Sequence, residues 1–351
     1  MKLIQNKKLL LVSKNLYGST KGGREQLSRT NLHILKNIFQ KNLYLYDTEP
    51  QKLKSLLEKF NGLKGYIDGL NKNKCIEIIK LLNEKKINYI FIDGSNYGKL
   101  AYLIKNSSPD IKIISFFHNV ESKFFYDAFL KSKSLKSLFI LFANFFAERL
   151  AVRYSDKIIA LSKRDSELLY KLYGKTATDI SPLIIEQPNS DSPITHIPDG
   201  DFLIFVGGAF YANIYGIRWF IKNVMPNLDE DLYIIGKGFE NYKVEFEHEK
   251  NVNVIGFVES LEGWYKHAKY VVAPIFEGSG MKTKVAESLM FGKVIIGSPE
   301  AFSGYEDVIS IAGSVCKSKE EFINAIKNET FTATKKDRLK VYNELYSVEA
   351  G

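Results

Sequence analysis

The chain is poor in cysteine, tryptophan, methionine and histidine: its 351 residues hold two, two, four and five of them. Cys75 and Cys316 stand far apart, and neither has a Cys-x-x-Cys partner. That argues against a disulfide framework and a structural zinc site, and makes a reducing cytosol the natural compartment. No apolar run reaches the ~20 residues needed to span a bilayer. The stretch Met1–Lys8 leads straight into Leu9–Ser13, too short for the core of a signal peptide, so no targeting segment is expected. Proline is also scarce. Four of the nine (Pro182, Pro188, Pro193 and Pro198) fall between 181 and 200, among Asn, Ser, Asp and Gly. That composition marks a linker and a domain boundary.

What is present is apolar and unevenly charged. Hydrophobic residues make up 45% and aromatics 13%, ample for two cores. Residues 1–180 carry 32 Lys and Arg against 16 Asp and Glu, a net +16; residues 181–351 carry 17 against 24, a net −7. A basic half joined to an acidic half points to an anionic partner for the first: nucleic acid, an anionic membrane surface or a phosphate-linked lipid. A solvated lysine-rich surface would produce part of the same excess.

The pattern of elements predicts an α/β protein of two doubly wound parallel sheets. In residues 1–180, strands are expected at Leu9–Ser13, Leu43–Tyr46, Tyr89–Ile92, 111–117 and 156–162, with helices beginning near Leu27, at 50–60, 73–85 and 163–172. The run Leu138–Ala147 follows Lys131, Lys133 and Lys136 and is apolar nearly all round. It reads either as a buried helix or as one lying in the plane of a membrane surface. Residues 181–200 are the linker. Residues 201–334 form the second domain, with strands at 202–206, 232–235, 252–257, 270–273 and 293–297 and helices at 213–224 and 260–267. A final helix is expected at 335–346.

The stretch with most chemistry is Phe276–Glu287. An apolar strand closed by Pro274 runs into Glu277-Gly278-Ser279-Gly280-Met281-Lys282-Thr283, and a helix begins at Met281 or Lys282, with Gly292 placed as its C-cap glycine. A strand, a glycine turn and a helix N-terminus make an anion site, because backbone N–H groups and the positive end of the helix dipole face the turn. Lys282 adds a full charge. Glu287, one turn on, leans back over the turn, where a carboxylate beside phosphate is better suited to a sugar's hydroxyls.

Gly278-Ser279-Gly280-Met281-Lys282, Lys284, Glu287-Ser288-Leu289 and Gly292-Lys293-Val294-Ile295-Ile296 together resemble the donor-binding segment of retaining GT-B glycosyltransferases of glycosyltransferase family 4. The resemblance implies two Rossmann-like domains facing a cleft. It implies that the glycine turn and Lys282 hold a nucleotide-sugar diphosphate and that Glu287 holds the ribose. Many members carry a second glutamate where this chain has Ser279; backbone amides or Glu277 would take its place. Phe205-Val206-Gly207-Gly208, Asn213, Gly216 and Trp219-Phe220 resemble the start of the family's donor domain. The basic residues that follow there would be represented by Arg218, inside the helix, and by Lys237. The base would be read by backbone groups around Phe257 and Val258, and Ser303-Gly304-Tyr305 resembles a loop closing the donor pocket. The final helix, 335–351, would cross back onto the first domain.

In the first domain, Phe117-His118-Asn119-Val120-Glu121 resembles the motif whose histidine lines the donor-sugar pocket. The glycine-rich loop with Tyr17, Gly22 and Gly23 would face the cleft. It is not a Gly-x-Gly-x-x-Gly sequence and is weak evidence for a dinucleotide. Asp93 and Asn96 follow a strand, where open sheets place ligands. Acceptor-side residues would thus be Tyr17, Gly22, Gly23, Asp93, Asn96, Asn119 and Glu121, and the catalytic set His118, Lys282 and Glu287. Asp199-Gly200-Asp201 and Asp229-Glu230-Asp231 could hold a divalent cation, yet both precede strands and read as solvated turns.

The resemblance implies a metal-independent glycosyltransferase that transfers with retention, and no cofactor is expected beyond a UDP- or GDP-linked sugar as substrate. The acceptor would be a glycan or a polyprenyl-diphosphate-linked glycan in surface polysaccharide assembly, with the protein cytoplasmic or peripheral on the inner membrane face. The alternatives are a non-catalytic glycosyltransferase-like subunit, a nucleotide-sugar 2-epimerase, and a nucleic-acid binder, for which no aromatic-interleaved basic motif speaks.

Overall fold

The computed structural model describes residues 7–14, 16, 23–49, 61–187, 197–278, 280–328 and 331–350. The expected helix at 50–60 lies outside them. The chain divides into two compact units, Met1–Pro182 and Leu183–Gly351.

The first unit is a six-stranded parallel sheet: β1 (Leu9–Ser13), β2 (Leu43–Asp47), β3 (Tyr89–Asp93), β4 (Lys112–Phe117), β5 (Lys157–Ala160) and β6 (Asp179–Ile180). Their spatial order is β2-β1-β3-β4-β5-β6. The crossovers carry α1 (Gly23–Phe39), α2 (Lys72–Glu84), α3 (Gly98–Ser107), α4 (Glu121–Ser132), α5 (Leu135–Tyr154) and α6 (Lys163–Tyr173). β1 is Leu-Leu-Leu-Val-Ser and wholly buried, as expected of a central strand covered on both faces. One cluster of its core joins Leu10, Val12, Ile90, Ile92 and Ile113 of the sheet to Ile78 and Leu82 of α2 and Leu100 and Ile104 of α3. β6 is two residues long and carries no sequence signal.

The apolar stretch near 140 fits neither expectation cleanly. It is a helix, α5, but its buried face is made of small residues, Ala143, Ala147 and Ala151. That face lies against the start of α3 so closely that a Cβ on Gly98 would sit 1.9 Å from the Ala147 carbonyl oxygen. The larger Leu135, Phe142 and Phe146 are exposed.

The second unit is also a six-stranded parallel sheet: β7 (Phe202–Val206), β8 (Asp231–Ile235), β9 (Val252–Gly256), β10 (Tyr270–Ala273), β11 (Ile295–Gly297) and β12 (Gly313–Val315). The spatial order is β12-β11-β10-β7-β8-β9. Its longer helices are α7 (Tyr211–Asn223), α8 (Glu262–His267), α9 (Thr283–Met290), α10 (Lys319–Lys327) and α11 (Lys335–Leu345). The chain winds from β7 outward to β9, then resumes at β10 on the other side of β7. The switch point of this sheet therefore lies between β7 and β10, and open α/β sheets take ligands beyond the carboxyl ends of the strands there. In the first sheet the corresponding point lies between β1 and β3.

The expected helix 335–346 is present as α11, opened by a capping box of Thr334 and Asp337. It packs against α9 and the short helix Ile309–Ala312 of the second unit. Buried Arg338 explains this: its Nε donates to the Gly292 carbonyl at 3.0 Å and its guanidinium to the Ala333 carbonyl at 3.0 Å. α11 also holds the start of its own unit. The Tyr342 hydroxyl donates to the Ile185 carbonyl, and the Ile185 N–H to the Tyr346 carbonyl, each at 2.8 Å. Leu183–Ile185, assigned to the linker by composition, are accordingly buried.

Candidate functional site

In the second unit, the loops leaving β7 and β10 meet at the switch point. After β10, the backbone turns through Gly278 at φ +137° and Gly280 at φ +67°, conformations that side chains with a Cβ resist. Ser279, between them, lies outside the described residues. α9 starts at Thr283 with Lys282 as N-cap, two residues later than the earliest expected start, and the N-cap side chain makes no capping hydrogen bond. At the far end Gly292 adopts φ +66°, and the Gly292 and Lys293 N–H groups return to the carbonyls of Leu289 and Ser288, a Schellman closure. Across the crevice, Gly207 and Gly236 are in backbone contact. The Gly207 N–H donates to the Ile235 carbonyl at 2.9 Å, and a Cβ on Gly236 would lie 1.9 Å from the Gly207 oxygen.

Two lysines serve this turn, in different ways. Lys282 Nζ donates to the Gly280 carbonyl at 2.7 Å and pairs with Glu300 at 3.0 Å. Its own carbonyl accepts the hydroxyl of buried Tyr305 at 2.9 Å, so the Ser303-Gly304-Tyr305 loop does reach the turn. Lys284 is buried and projects beneath the β7 loop. Its Nζ lies 3.3 Å from Asn213 Oδ1 and 5.1 Å from the centroid of the Phe205 ring. Asn213 in turn donates to the Gly208 carbonyl at 2.8 Å. A Cβ on Gly207 would stand 3.3 Å from Lys284 Nζ. Burial pushes the Lys284 ammonium down to about 8, with Lys282 nearby acting in the same direction and Glu287 opposing. Desolvation wins because one amide oxygen and a ring face replace far less hydration than a carboxylate would.

Glu287 accepts the Tyr265 hydroxyl at 2.7 Å. Burial raises its carboxyl above the usual range, while Tyr265, Lys284 and Thr283 restrain the rise. Tyr265 is itself fully buried and stacked on Phe291, so the carboxylate is held from behind.

Other residues assigned from sequence lie elsewhere. Arg218 is on the exposed side of α7, where its Nε and terminal nitrogen pair with the two oxygens of Glu245 at 2.5 and 3.0 Å. In this arrangement its guanidinium is engaged by Glu245. Phe257 has an exposed ring, but its N–H donates to Glu240 Oε1 at 2.8 Å, and the Gly238 N–H donates to Glu240 Oε2 at 2.6 Å. A base read there would meet the ring of Phe257, the following Val258, or the carbonyls. Lys237 is exposed, and its carbonyl accepts from Ala209 at 2.9 Å, tying the β7 and β8 loops together. Met281 is buried, and Glu277 and Thr283 are half-buried. Asp201, Asp229 and Glu230 gather near Lys269 and Lys327, and Glu230 pairs with Lys269 at 2.9 Å. They precede β7 and β8, at the opposite end of the sheet from the turn.

In the first unit the expected residues converge at the β1–β3 switch point. Asp93 ends β3 and is fully buried. It accepts Ser13 at 2.6 Å and Asn31 at 3.0 Å, and His118 Nε2 lies 3.0 Å from its Oδ1. Burial would raise this carboxyl, but His118, Ser13 and Ser28 hold it well below the usual carboxylate range. His118 follows β4 and is buried; neither ring nitrogen has an aligned hydrogen-bond partner among the described residues, and neither does Asn119 Oδ1. Asn96 Nδ2 lies 3.4 Å from Asp68, which also pairs with Lys14 and, at 2.8 Å, with Arg24. Glu121 opens α4 in the same region. Burial pushes its carboxyl up to about 7, with Glu148 and Asp68 adding to the rise and Arg24 and Lys14 opposing it. Gly23 is the first residue of α1; Tyr17 and Gly22 lie outside the described residues.

Sequence reasoning missed Lys284, Asn213, Tyr265, Glu300 and Glu240 in the second unit, and Arg24, Asp68 and Glu148 in the first. Lys284 and Asn213 sat within motifs already noted and were given no chemistry. Glu148 had no signal at all: it lies in the apolar helix α5 and accepts the N–H groups of Glu121 and Ser122 at 2.9 and 3.1 Å, capping α4 from a distant element.

Residues 200–328 match the family model described as glycosyl transferases group 1. No curated protein matches the chain in sequence. Among solved structures, a sucrose-phosphate synthase from Thermosynechococcus elongatus is similar with a TM-score of 0.71 and 12% identity, over 98% of this chain and 96% of that one. HepE of Anabaena, solved in complex with UDP, gives 0.66 at 12% identity over 97% and 96%; its complex with UDP-glucose gives 0.65 at 11% over 97% and 96%. WaaG, a glycosyltransferase involved in lipopolysaccharide biosynthesis, gives 0.65 at 14% over 96% of each chain. Identities this low show the fold, two Rossmann-like parallel sheets with flanking helices as in GT-B proteins, and the family model matches within the second unit.

Proposed function

We propose that the protein is a glycosyltransferase that takes a sugar from a nucleotide diphosphate donor held at the β7–β10 switch point of its second unit. One observation carries this reading. A buried lysine, Lys284, lies under a glycine pair and beside a glycine turn that opens a helix, with Glu287 one turn further along. An incompletely compensated buried cation at such a place calls for an anion. A diphosphate supplies it. The neighbours solved with UDP and UDP-glucose favour a uridine diphosphate sugar over a guanosine one.

In this reading, Lys284, Lys282 and the turn amides stabilise the charge that develops on the leaving diphosphate as the glycosidic bond to it breaks. Those groups do the electrostatic work that a divalent cation does in other transferases. Glu287, braced by Tyr265, accepts the ribose hydroxyls. Transfer with retention at the anomeric carbon and a role in surface polysaccharide assembly complete the proposal, with the acceptor a glycan on a lipid diphosphate. The first unit's net +16 supports an anionic acceptor, and the buried, unaligned nitrogens of His118 and the oxygen of Asn119 offer polar contacts to sugar hydroxyls.

The experiment is a thermal-shift panel with UDP, GDP, CMP, dTDP and ADP, with and without magnesium, on the wild type and Lys284→Met. A ligand that binds only the folded state raises the melting temperature by mass action. UDP stabilising the wild type without metal, and not the variant, is the expected result. No shift with any nucleotide would move the weight to a non-catalytic subunit.

A further inference from the structure

Three loops at the carboxyl end of the second sheet are laced together, and one exposed side chain ties two of them. The β7 and β8 loops join where the Ala209 N–H donates to the Lys237 carbonyl at 2.9 Å. The β8 and β9 loops join through Glu240. Its Oε2 accepts the Gly238 N–H at 2.6 Å and its Oε1 the Phe257 N–H at 2.8 Å. Glu240 sits on the short 3₁₀ turn Phe239–Tyr242. Phe239 anchors that turn from within: it is fully buried and meets Phe205 of β7 edge-on, with ring centroids 5.8 Å apart. Two glycines make room for the carboxylate. Gly238 leads into the turn at φ +93°, and Gly256 ends β9 at φ +76°, where a Cβ would stand 2.6 Å from the Glu240 side chain. An exposed carboxylate has water as an alternative partner for both oxygens. Here both are committed to backbone, and this fixes where the chain goes after β9.

The segment so fixed carries an exposed aromatic ring. Phe257 is 64% exposed at the carboxyl end of β9, the end at which open α/β sheets take ligands. β9 lies two strands from β7, about 10 Å at the usual strand spacing. That is the scale of the step from diphosphate to base in a nucleotide. The two ends of such a donor differ in chemistry. The diphosphate is anionic and suits the lysines at the β10 turn. The base is flat and uncharged, and calls for an aromatic face and a few polar groups at its edge. A carboxylate beside Phe257 repels the first and tolerates the second. Glu240 already takes the Phe257 N–H, and the Gly236 N–H takes the Gly256 carbonyl at 2.7 Å. That leaves the following backbone, from Val258, to meet the edge of a base.

We propose that Glu240 is a positioning residue for the donor's base: it holds the Phe257–Val258 segment so that the Phe257 ring stacks on the base. This role rests on the nucleotide-donor reading of the site. The experiment is calorimetry with UDP and with inorganic pyrophosphate on the wild type, Glu240→Ala, Glu240→Gln, Phe257→Ala and the double variant Glu240→Ala with Phe257→Ala. Each alanine substitution should weaken UDP binding about tenfold, the scale of one base–aromatic contact. Pyrophosphate, which has no base, should bind all variants as it binds the wild type. The double variant should lose little more than either single one, because both act through the same contact. Glu240→Gln keeps one acceptor for the two N–H groups and should recover part of the affinity. Both positions are exposed, so the variants should melt cooperatively. A fraction of unfolded protein would lower the number of sites for both ligands alike and leave the ratio of their affinities unchanged.

UDP binding unchanged in Glu240→Ala would overturn the proposal. So would pyrophosphate weakened in step with UDP, which would place the influence of Glu240 at the turn. So would losses that multiply in the double variant, which would make the two residues independent. A wild type that binds neither ligand would remove the donor reading and the base role with it. A wild type that binds UDP regardless of Glu240 would remove the base role alone.

Discussion

At the switch point of the first sheet, Asp93 is met by Ser13, Asn31 and His118, three side chains from three different elements. At that of the second sheet, Gly207, Gly236, Gly278 and Gly280 bring backbone to the crevice, and the charge comes from Lys282 and Lys284 at the start of one helix. In the first, the buried Asp93 carboxylate is answered from several sides. The second holds a cation with little to answer it. A compensated buried pair contributes mainly to order, and breaking it destabilises the protein; an uncompensated charge strains the unliganded state and favours a ligand. The contrast predicts that breaking the Asp93 cluster will act first on stability, and that substitutions at Lys284 will act first on binding.

The largest effect is expected from Asp93→Ala. It strands Ser13, Asn31 and His118 in a buried site and should cost about 3–5 kcal/mol by denaturant unfolding at pH 7. Because His118 and the two serines hold the Asp93 carboxyl low, its stabilising contribution is present above the unfolded carboxylate range and is lost as pH falls through the folded value. A change below about 1 kcal/mol would mean that the cluster is not a structural unit.

Glu121 has the opposite sign. Its folded carboxyl is pushed up to about 7 against an ordinary 4.5, so the folded state binds the extra proton between those values. Stability from this group is full below the unfolded value and is lost as pH rises to about 7, by about 3 kcal/mol. Glu121→Gln should therefore remove that slope and leave the variant more stable than wild type at pH 8 but not at pH 4.5. Parallel stability curves for the two proteins would remove Glu121 from the titrating cluster.

Lys284→Met should reverse the balance seen at Asp93. Removing a cation that burial holds at about 8 relieves a desolvation penalty, so stability at pH 7 should hold or rise. Transfer should nonetheless fall roughly 100-fold in kcat/KM, the scale of losing one charged contact to a developing oxyanion. UDP affinity of the wild type should weaken as pH rises through about 8 and that of the variant should not. A variant that is both destabilised and fully active would make Lys284 an element of packing.

The same contrast explains what could be read in the sequence. The second point announces itself because its parts are local: a strand, a glycine turn and a helix within Tyr270–Met290, whose glycines have a conformational reason to be there. The two parallel sheets were legible for the same reason, each buried strand being a run such as Phe202–Val206. The first point depends on residues tens of positions apart. Asp93 is paired with residues 80 positions before it and 25 after it, and nothing near Glu148 says that it caps α4. Arg218 shows the limit from the other direction. A basic residue at a plausible spacing was assigned to the donor, but the helix turns it toward Glu245, and that rotation depends on how α7 packs.

Glu300 supplies the smallest and most discriminating test. It pairs with Lys282 at 3.0 Å, and both side chains are mostly buried, 13% and 19% exposed. Lys282 must share its charge between this carboxylate and any diphosphate at the turn. If the second point is poised for an anion, Glu300→Gln should tighten UDP binding about 2- to 5-fold, the scale of a partly exposed ion pair worth 0.5–1 kcal/mol. The gain should shrink with added salt and disappear in Lys282→Ala. If Glu300 instead serves to hold Lys282 at the turn, the same substitution will weaken UDP binding. The sign of the change in Kd therefore decides whether the pair competes with the ligand or prepares the site for it, and calorimetry on the two single variants and the double variant measures it directly.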